Sequence, residues 1–558
     1  YLVIWTTTPW TIPFNLAVMV NPDIEYIKAK VDGEVWVIAK ELADNLIKEK
    51  LQKEYSIIEE FKGKELEHME YDHPLDSEIN DYKNLKEKHS NIHTVLLSKE
   101  YVTLEAGSGL VHCAPGCGPE DYEVGHANKI PPYNKLNEEG IFKEGMGNFS
   151  GLRAKTDDNK FIQALEDAGA LITKERIKHD YPHCERCKSP VVFRTTKQWF
   201  FKVEDLKGRM LELNKKVHWV PQSINNSYIS WLENLRDNSI TKQRFWGTPL
   251  PVWRCRGCKE YRVIESKQEI IDLTGKAPKN LHRPWIDEVE FDCKCGDKMK
   301  RIPDILDVWL DAGVAPYACL YYPQKKELFE KLFPPEFIIE GRDQVRGWFN
   351  LLMIVSTLMF DEVPSKAIYA HGMINDIDGE KMSKSLGNIV SPREVIEKYG
   401  TDAFRSYIFR TNAGEDVKFS WDEIESRNRN ISILWNVYQY LIDYSKALNI
   451  KPNLEDRNDL GMEEEYILSR LNKTIKKVTE LYEFFNIDQI PAELEKLFLD
   501  LSRNYMQYTR EKISTNPELV LSTIYKVLFE LTKMFSTVCP FITEKIYLGL
   551  KEEFGLEK

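Results

Sequence analysis

The residue types best suited to phosphate chemistry lie together in one short segment, 381–385, which reads Lys-Met-Ser-Lys-Ser. The ammonium groups and hydroxyls of this segment belong to Lys381, Ser383, Lys384 and Ser385. Gly379 and Gly387 flank the segment and leave a loop there free to shift. Because lysine acts as a compact point charge on phosphate, such a loop can close over a polyphosphate and stabilise developing charge. The plain alternative is a solvated surface loop.

The elements predicted around this lysine segment are a strand before it and a helix after it. Residues 365–373 form an apolar run typical of a strand. Ser391 followed by Pro392 is typical of a helix start, because serine caps the helix and proline suits its first turn. The segment is therefore expected on a mobile loop between a strand and a helix.

A second chemical cluster follows another predicted strand, within residues 337–349. The turn after that strand carries Glu340, Gly341, Asp343, Gln344 and Trp348. In a doubly wound sheet, ligands bind beyond the carboxyl ends of the strands, so this turn is a candidate ligand site. Trp309 is a further candidate, although an aromatic side chain after a strand is more often part of the core.

Two more clusters, far apart within residues 1–178, could act together on an ester. The first presents hydroxyls at a bend that Pro9 and Pro13 enforce, and its polar members are Thr6, Thr7, Thr8, Thr11 and Asn15. The second places His112 at a strand end and Asp121 after a glycine-rich turn. Asp121 can pair with an ammonium, and His112 with the threonines can orient a water. Taken singly, each cluster also fits a plain turn in a β-rich domain.

The ten cysteines are too few for a disulfide scaffold, and six of them fall into close pairs. That pattern indicates metal binding in a reducing compartment. One quartet has the spacing of a structural zinc ribbon, predicted at about residues 253–301, and consists of Cys255, Cys258, Cys293 and Cys295. Cys184 and Cys187 form a further pair for which the chain has no second unpaired pair.

Taken together, these segments resemble the class I aminoacyl-tRNA synthetases. The lysine segment matches the KMSKS motif of that family, and residues 340–349 are similar to its isoleucyl branch. The resemblance implies that Glu340 holds the amino group and ribose side of an aminoacyl-adenylate, with Gln344 close by. It also implies that two tryptophans wall a pocket for a branched aliphatic side chain, namely Trp309 and Trp348.

The threonine-rich and His112 clusters resemble the inserted editing domain of the isoleucyl, valyl and leucyl enzymes. A missing methylene changes transition-state binding by only about 1–3 kcal/mol, a limit for which the isoleucyl enzyme is itself the standard worked example. The resemblance therefore implies a second site that hydrolyses mischarged valyl-tRNA(Ile). In this family the pair Cys184 and Cys187 joins a pair that precedes the editing domain, which implies half of a second zinc site.

The 558 residues, 42% of them hydrophobic, are enough for about three or four domains. We expect a multidomain α/β protein: a β-rich editing domain at 1–178, the second half of a Rossmann-type catalytic domain with its zinc ribbon at 179–424, and a truncated helical anticodon-binding bundle at 425–558. The formal net charge of -12 argues against indiscriminate nucleic-acid binding. No apolar run is long enough to span a bilayer.

The function implied by the resemblance is ATP-dependent charging of tRNA(Ile) with isoleucine, with editing of the valyl product. ATP is then a substrate, Mg²⁺ and Zn²⁺ are cofactors, and the protein is a cytoplasmic monomer. One alternative is valyl-tRNA synthetase, disfavoured by Gln344, Trp348 and the pair Cys184 and Cys187. The other is a tRNA-binding or editing paralogue without activation.

The beginning of the chain leads to one further expectation. Tyr1–Ile4 is a strand-like run without a start signal, and none of the eleven histidines forms the His-x-Gly-His element of class I synthetases. We therefore expect a fragment that lacks the first nucleotide-binding half and does not activate an amino acid alone.

Overall fold

The computed structural model describes residues 1–184, 187–384, 386–455 and 457–555. Ser385 of the lysine segment, and Glu185 and Arg186 between Cys184 and Cys187, lie outside the described residues. The chain forms two compact units, Tyr1–Lys197 and Gln198–Lys558. The domain boundaries at 178 and 424 stay predictions. Among the described helices, none combines the length and apolarity that crossing a membrane requires.

The first unit contains two small three-stranded sheets. Its strands are β1 (Ala17–Val20), β2 (Glu25–Val31), β3 (Glu34–Ala39), β4 (Tyr55–Lys62), β5 (Thr94–Leu97) and β6 (Leu110–Cys113). In one sheet β1 pairs in parallel with β5 and antiparallel with β6. In the other, β2 lies between β3 and β4, and both pairings are antiparallel. The α-helices are α1 (Lys40–Ala43), α2 (Asp81–Lys88), α3 (Pro119–Ala127) and α4 (Asp158–Asp167), and a 3₁₀ helix spans Pro9–Phe14.

The core beside β1 contains two buried histidines. The rings of His73 and His93 lie 5.3 Å apart, and Tyr82 packs edge-on against both, 4.9 Å from His73 and 4.7 Å from His93. Burial lowers the pKa of His73 to about 3 and that of His93 to about 4. Both imidazoles are therefore neutral in the folded unit at physiological pH.

The second unit combines a parallel sheet, a small antiparallel sheet and a helical bundle. Its strands are β7 (Phe200–Phe201), β8 (His218–Val220), β9 (Asn238–Ser239), β10 (Thr241–Lys242), β11 (Val252–Cys255), β12 (Tyr261–Val263), β13 (Glu290–Asp292), β14 (Lys298–Arg301), β15 (Ile305–Leu306), β16 (Phe337–Gly341), β17 (Ala367–His371), β18 (Ile374–Asn375) and β19 (Val417–Lys418). Its α-helices are α5 (Lys207–Asn214), α6 (Gln222–Glu233), α7 (Lys267–Thr274), α8 (Val308–Gly313), α9 (Ala315–Ala318), α10 (Lys326–Leu332), α11 (Trp348–Phe360), α12 (Pro392–Tyr399), α13 (Thr401–Ile408), α14 (Trp421–Leu448), α15 (Met462–Glu483), α16 (Ile490–Asp500), α17 (Met506–Tyr508), α18 (Lys512–Thr515), α19 (Pro517–Phe535) and α20 (Pro540–Phe554).

The parallel sheet has the strand order β16-β17-β8. Helix α11 connects β16 to β17, and every residue from Phe349 to Thr357 in it is buried. A buried, mostly apolar helix between two parallel strands is the crossover that a doubly wound sheet requires. The structure thus has the mixed α/β character that the sequence predicts.

The long helices that follow Trp421 share one hydrophobic core. Buried side chains at helical spacing in α14 include Leu434, Val437 and Leu441. They pack in the same cluster as buried residues of α15, α16, α19 and α20. The predicted helical bundle is therefore present.

The buried histidine pair predicts how the stability of the first unit depends on pH. The folded pKa of each ring lies below the value of about 6.5 that an unfolded chain shows, so the unfolded state binds more protons. Stability should therefore fall as the pH drops from about 6.5 towards 4, by up to about 1.4 kcal/mol per pH unit for each histidine. Hydrogen exchange of the β1 and β5 amides, corrected for intrinsic rates, measures this fall.

A matched pair of variants tests whether the buried histidines cause this pH dependence of stability. In His93→Phe the pH dependence should become shallower, because one titrating ring is replaced by an apolar ring. His68→Phe changes an exposed histidine, with 72% of its side chain accessible, and should leave the dependence unchanged. An identical slope in wild type and His93→Phe would contradict the prediction.

Candidate functional site

The lysine segment follows β18 and precedes α12, on a loop that turns back on itself. Asn375 and Lys381 form an isolated antiparallel β-bridge between their backbones. The carboxylate of Asp376 accepts hydrogen bonds from the backbone N–H groups of Asp378 at 3.0 Å and Glu380 at 2.7 Å. Gly379 has a φ of 94°, which side chains other than glycine rarely adopt. These bonds determine the direction in which the chain enters the segment.

Asn388 holds the other end of the loop. Its Nδ2 donates to Asp376 Oδ2 at 2.7 Å, and its Oδ1 accepts the backbone N–H of Ser383 at 2.8 Å. The hydrogen bond from Asn388 lowers the pKa of Asp376, so the carboxylate stays ionised. Lys381 and Lys384 are exposed, and within the described ranges neither ammonium has an ion-pair partner. The two lysine side chains are thus exposed on a loop whose backbone is held by hydrogen bonds.

The second cluster lies at the carboxyl end of β16. Glu340 Oε2 accepts the backbone N–H of Gly341 at 2.9 Å. Gln344 donates through Nε2 to Asp343 at 3.2 Å and accepts the backbone N–H of Trp348 at 3.0 Å, which orients its carboxamide at the start of α11. All five predicted residues of this turn are therefore close together.

The two predicted pocket tryptophans both lie next to Gly347, Trp348 as its neighbour in the chain and Trp309 through its ring. A Cβ at Gly347 would lie 3.3 Å from the ring of Trp309 and 2.8 Å from Gln344 Oε1. Trp348 Nε1 donates to Ala312 O, in the helix that carries Trp309, at 2.8 Å. Trp309 is 43% exposed, a large value for an aromatic core residue. The structure thus brings Trp309, Gln344 and Trp348 together.

A feature that the sequence did not single out connects the ends of β16 and β17 to β19. Arg342 forms an ion pair with Asp416 at 2.7 Å, and Asp416 also accepts the backbone N–H of Met373 at 2.8 Å. Arg342 stands inside the 337–349 segment, but its partner is distant in sequence and only the fold reveals it.

In the first unit, three of the predicted threonines form a hydrogen-bonded chain that ends on His112. Thr6 Oγ1 lies 3.3 Å from Thr8 Oγ1, which lies 3.2 Å from Thr11 Oγ1. Thr11 Oγ1 lies 3.0 Å from His112 Nε2. Strand β6 places the histidine there by pairing His112 with Val18 of β1.

The contacts of Thr11 favour one tautomer of His112. The shortest contact of the Thr11 hydroxyl is with Thr8 O, at 2.7 Å, and donation there leaves the Thr11 oxygen to accept a proton from His112 Nε2. Burial lowers the pKa of His112 to about 4, in agreement with a neutral ring. His112 therefore orients Thr11, and a water would contact the threonine hydroxyls rather than this nitrogen.

Asp121 lies in the first turn of α3. Its Oδ2 accepts the backbone N–H of Ala114 at 3.3 Å, and within the described residues its Oδ1 has no partner. Burial raises the pKa of Asp121 to about 6, which leaves the carboxylate ionised at neutral pH. The side chain thus braces the glycine-rich turn with one oxygen and can accept a cation with the other.

Two of the predicted pocket residues differ from the rest. Asn15 is 3% exposed; its Oδ1 accepts from Tyr71 OH and its Nδ2 donates to Ala17 O. Both polar ends of Asn15 are therefore engaged behind the bend. The Thr7 hydroxyl makes no hydrogen bond within the described part of the chain.

The four cysteines of the quartet converge between two hairpins of the second unit. The pairing of β11 with β14 brings the β11–β12 and β13–β14 turns side by side. All four Sγ atoms lie within 4.8 Å of one another. A tetrahedral zinc with bonds of about 2.3 Å separates its sulfurs by about 3.8 Å, so four thiolates fit this ion.

Cys184 and Cys187 lie in a separate turn of the first unit, where Cys184 O accepts the backbone N–H of Lys188 at 2.9 Å. Among the described residues, the quartet is the one group of three or more Cys, His, Asp or Glu side chains that could hold a metal ion. Within the part of the chain that the structure describes, no third ligand lies beside this pair, and its zinc role stays a prediction.

Comparison with known proteins gives two family matches. A family model described as tRNA synthetases class I (I, L, M and V) matches residues 25–420, and one described as anticodon-binding domain of tRNA ligase matches residues 464–558. The chain is 39% identical, over 98% of its length, to a protein named Isoleucine--tRNA ligase from Methanopyrus kandleri. It is 40% identical, over 99% of its length, to the protein of that name from Methanocaldococcus jannaschii.

The chain spans about half the length of these curated relatives, 53% and 54% respectively. Among solved structures, it is similar to Mycobacterium tuberculosis methionyl-tRNA synthetase in complex with methionyl-adenylate. The TM-score is 0.50 with 19% identity, covering 66% of this chain and 65% of that one. At this identity the likeness shows the fold alone.

Proposed function

This chain belongs to the class I tRNA synthetases, within the isoleucine–tRNA ligases, and from that premise we propose that the protein activates isoleucine with ATP and transfers it to tRNA(Ile). In the first step the isoleucine carboxylate attacks the α-phosphorus of ATP, and pyrophosphate leaves as the acyl–phosphate bond forms. In the second step a ribose hydroxyl of the tRNA attacks the acyl carbon, and AMP leaves. The relatives favour isoleucine over the valyl alternative.

The observation that carries this proposal is the pair of ammonium groups of Lys381 and Lys384, which have no ion-pair partner among the described residues and lie on a loop beyond the parallel sheet. They suit the negative charge that gathers on the departing pyrophosphate. Mg²⁺, when bound with ATP, would neutralise part of the same charge. Glu340 lies on the neighbouring strand and supplies a carboxylate for the amino group or ribose of the adenylate.

The pocket beside that carboxylate supports a branched aliphatic substrate. Trp309 and Trp348 provide apolar area, and Gly347, which has no side chain, lets the Trp309 ring and the Gln344 carboxamide approach its backbone closely. Gln344 is a polar group beside these tryptophans, and the backbone N–H of Trp348 orients it. A mostly apolar pocket with few polar groups is typical of small-ligand sites.

The first unit supports hydrolytic editing of valyl-tRNA(Ile). The ester linkage is uncharged, so its hydrolysis needs oriented dipoles. The α-ammonium of the aminoacyl group needs an anchor of opposite charge. The Thr6–Thr8–Thr11 chain offers hydroxyls to a water, and the free oxygen of Asp121 offers the anchor. The ten cysteines are all free thiols. Free thiols suit a reducing compartment such as the cytoplasm, which we propose as the location of the protein.

The role of Lys384 can be tested by isoleucine-dependent exchange of pyrophosphate with ATP in the full-length protein. Lys384→Ala should slow adenylate formation by about 10²–10³-fold with little change in the KM for isoleucine, because the charge acts on the transition state. Lys473→Ala removes an exposed lysine from α15 and should exchange at the wild-type rate. An effect confined to the KM for isoleucine would count against the role.

The role of Asp121 can be tested by deacylation of valyl-tRNA(Ile). Asp121→Asn keeps an acceptor for the Ala114 N–H but cannot neutralise an ammonium, so it should lose activity roughly 10- to 150-fold, the cost of a charge-assisted bond of about 1.5–3 kcal/mol. In wild type, kcat/KM should fall as the pH drops below about 6, because the free carboxyl becomes protonated. Near-normal hydrolysis by Asp121→Asn would show that the side chain only braces the turn.

The cysteine quartet is proposed to hold one structural Zn²⁺ that joins the two hairpin turns. Cys258→Ser should lose one zinc per chain and reduce hydrogen-exchange protection in β11 and β14, since metal binding contributes to local folding. Cys319→Ser, at an exposed cysteine outside the quartet, should retain the metal. Elemental analysis after dialysis against a chelator measures both, and an unchanged zinc content in Cys258→Ser would refute the site.

A further inference from the structure

The threonine-rich bend, residues 6–15, is held by hydrogen bonds from another segment as well as by its own backbone bonds. Pro9 and Pro13 have no N–H group, which removes two donors from the bend. The internal backbone bonds of the 3₁₀ helix include those from Thr11 N to Thr8 O and from Asn15 N to Ile12 O, each 2.9 Å long. Further hydrogen bonds to the bend come from donors elsewhere in the fold, and they reach the second lone pair of Ile12 O, the Pro13 carbonyl and the side-chain oxygen of Asn15.

Those donors come from a single stretch of chain, residues 71–82, which we name the support segment. His73 Nε2 lies 3.2 Å from Ile12 O. Tyr82 OH donates to Pro13 O at 2.9 Å. Tyr71 OH donates to the side-chain oxygen of Asn15. Three donors from one segment thus bind three acceptors close together on the bend.

Further contacts fix the orientation of the donor side chains in the support segment. The backbone N–H of Leu75 donates to His73 Nδ1 at 3.1 Å, so the ring proton lies on Nε2 and points at Ile12 O. The ring of His93 packs against all three donor side chains, at 5.5 Å from Tyr71, 5.3 Å from His73 and 4.7 Å from Tyr82. Its packing limits their rotation.

The acceptors on the bend lie next to the reactive hydroxyls. Ile12 directly follows Thr11, whose Oγ1 contacts both Thr8 and His112. A shift of the Ile12 carbonyl therefore moves the Thr11 hydroxyl and alters the whole threonine chain. A displacement of about 1 Å at a reacting group can lower a rate by about 100-fold.

We propose that Tyr71, His73 and Tyr82 are positioning residues of the hydrolytic site that act on Thr11 through the bend. His73 and Tyr82 act through its backbone carbonyls, and Tyr71 acts through the Asn15 side chain. The inference rests on the proposed editing function of the first unit. None of the three side chains needs to contact the aminoacyl ester. Their effect is on the rate of hydrolysis and not on the affinity for the mischarged tRNA.

The test uses Tyr71→Phe and Tyr82→Phe in the full-length protein, with valyl-tRNA(Ile) as the probe. Each variant should lower the kcat of deacylation about tenfold, the equivalent of one lost hydrogen bond of about 1.4 kcal/mol, and leave KM and isoleucylation unchanged. The matched control is Tyr26→Phe. Tyr26 is fully buried in the same unit and donates to a backbone carbonyl, Gly109 O, at 2.7 Å, but does not bind the bend.

A double-mutant cycle separates positioning from general stability. If Tyr82 acts through Thr11, Tyr82→Phe should have little further effect on kcat in a Thr11→Ala background. Multiplicative losses in the double variant, or an equal loss in Tyr26→Phe, would overturn the positioning role. A wild-type protein that charges tRNA(Ile) but does not deacylate valyl-tRNA(Ile) would instead refute the editing function, and the inference with it.

Discussion

The parallel pairing of β16 with β17 is the constraint on which the lysine site depends, because it brings two sequence-distant segments to one edge of a sheet. Gly341 lies opposite His371 in the register, so both chains leave the sheet at the same level. The first continues into the turn that carries Gln344, and the second into the loop that carries Lys384. If the two strands were antiparallel, their following segments would leave at opposite ends of the strands.

The first unit solves a different positioning problem. Its threonines lie on a bend whose two prolines remove backbone donors, so the bend cannot be held by the hydrogen-bond ladder of a sheet. Side-chain donors from the support segment replace that ladder, and β6 supplies His112 through its pairing with β1. In the proposed hydrolytic site, positioning therefore depends on the side chains of Tyr71, His73 and Tyr82, each more than fifty positions along the chain from the group it binds.

The sequence predicted the parts of these sites whose signals are local. The apolar run at 365–373 contains the observed β17, Ala367–His371, and the quartet of cysteines converges because close pairs at hairpin turns need only one strand pairing to meet. Asn15 shows why other details were not predictable. An asparagine among threonines has no local signal that distinguishes a pocket residue from one bonded to Tyr71 behind the bend. The same applies to His112, whose orientation towards Thr11 depends on the long-range register of β6.

The two sites also differ in how many of their polar groups already have hydrogen-bond partners, and the difference agrees with the charge of their proposed substrates. Exposed lysines such as Lys384 are well hydrated without a partner, and a polyphosphate can supply the counter-charge when it binds. The ester linkage carries no charge at its reacting carbonyl, so it cannot organise a loose set of hydroxyls. The dipoles must then be oriented beforehand in a buried network, where the lower dielectric strengthens each bond. Thr11 and His112 meet that requirement, which accounts for a neutral, buried imidazole where a solvent-exposed base would otherwise be expected.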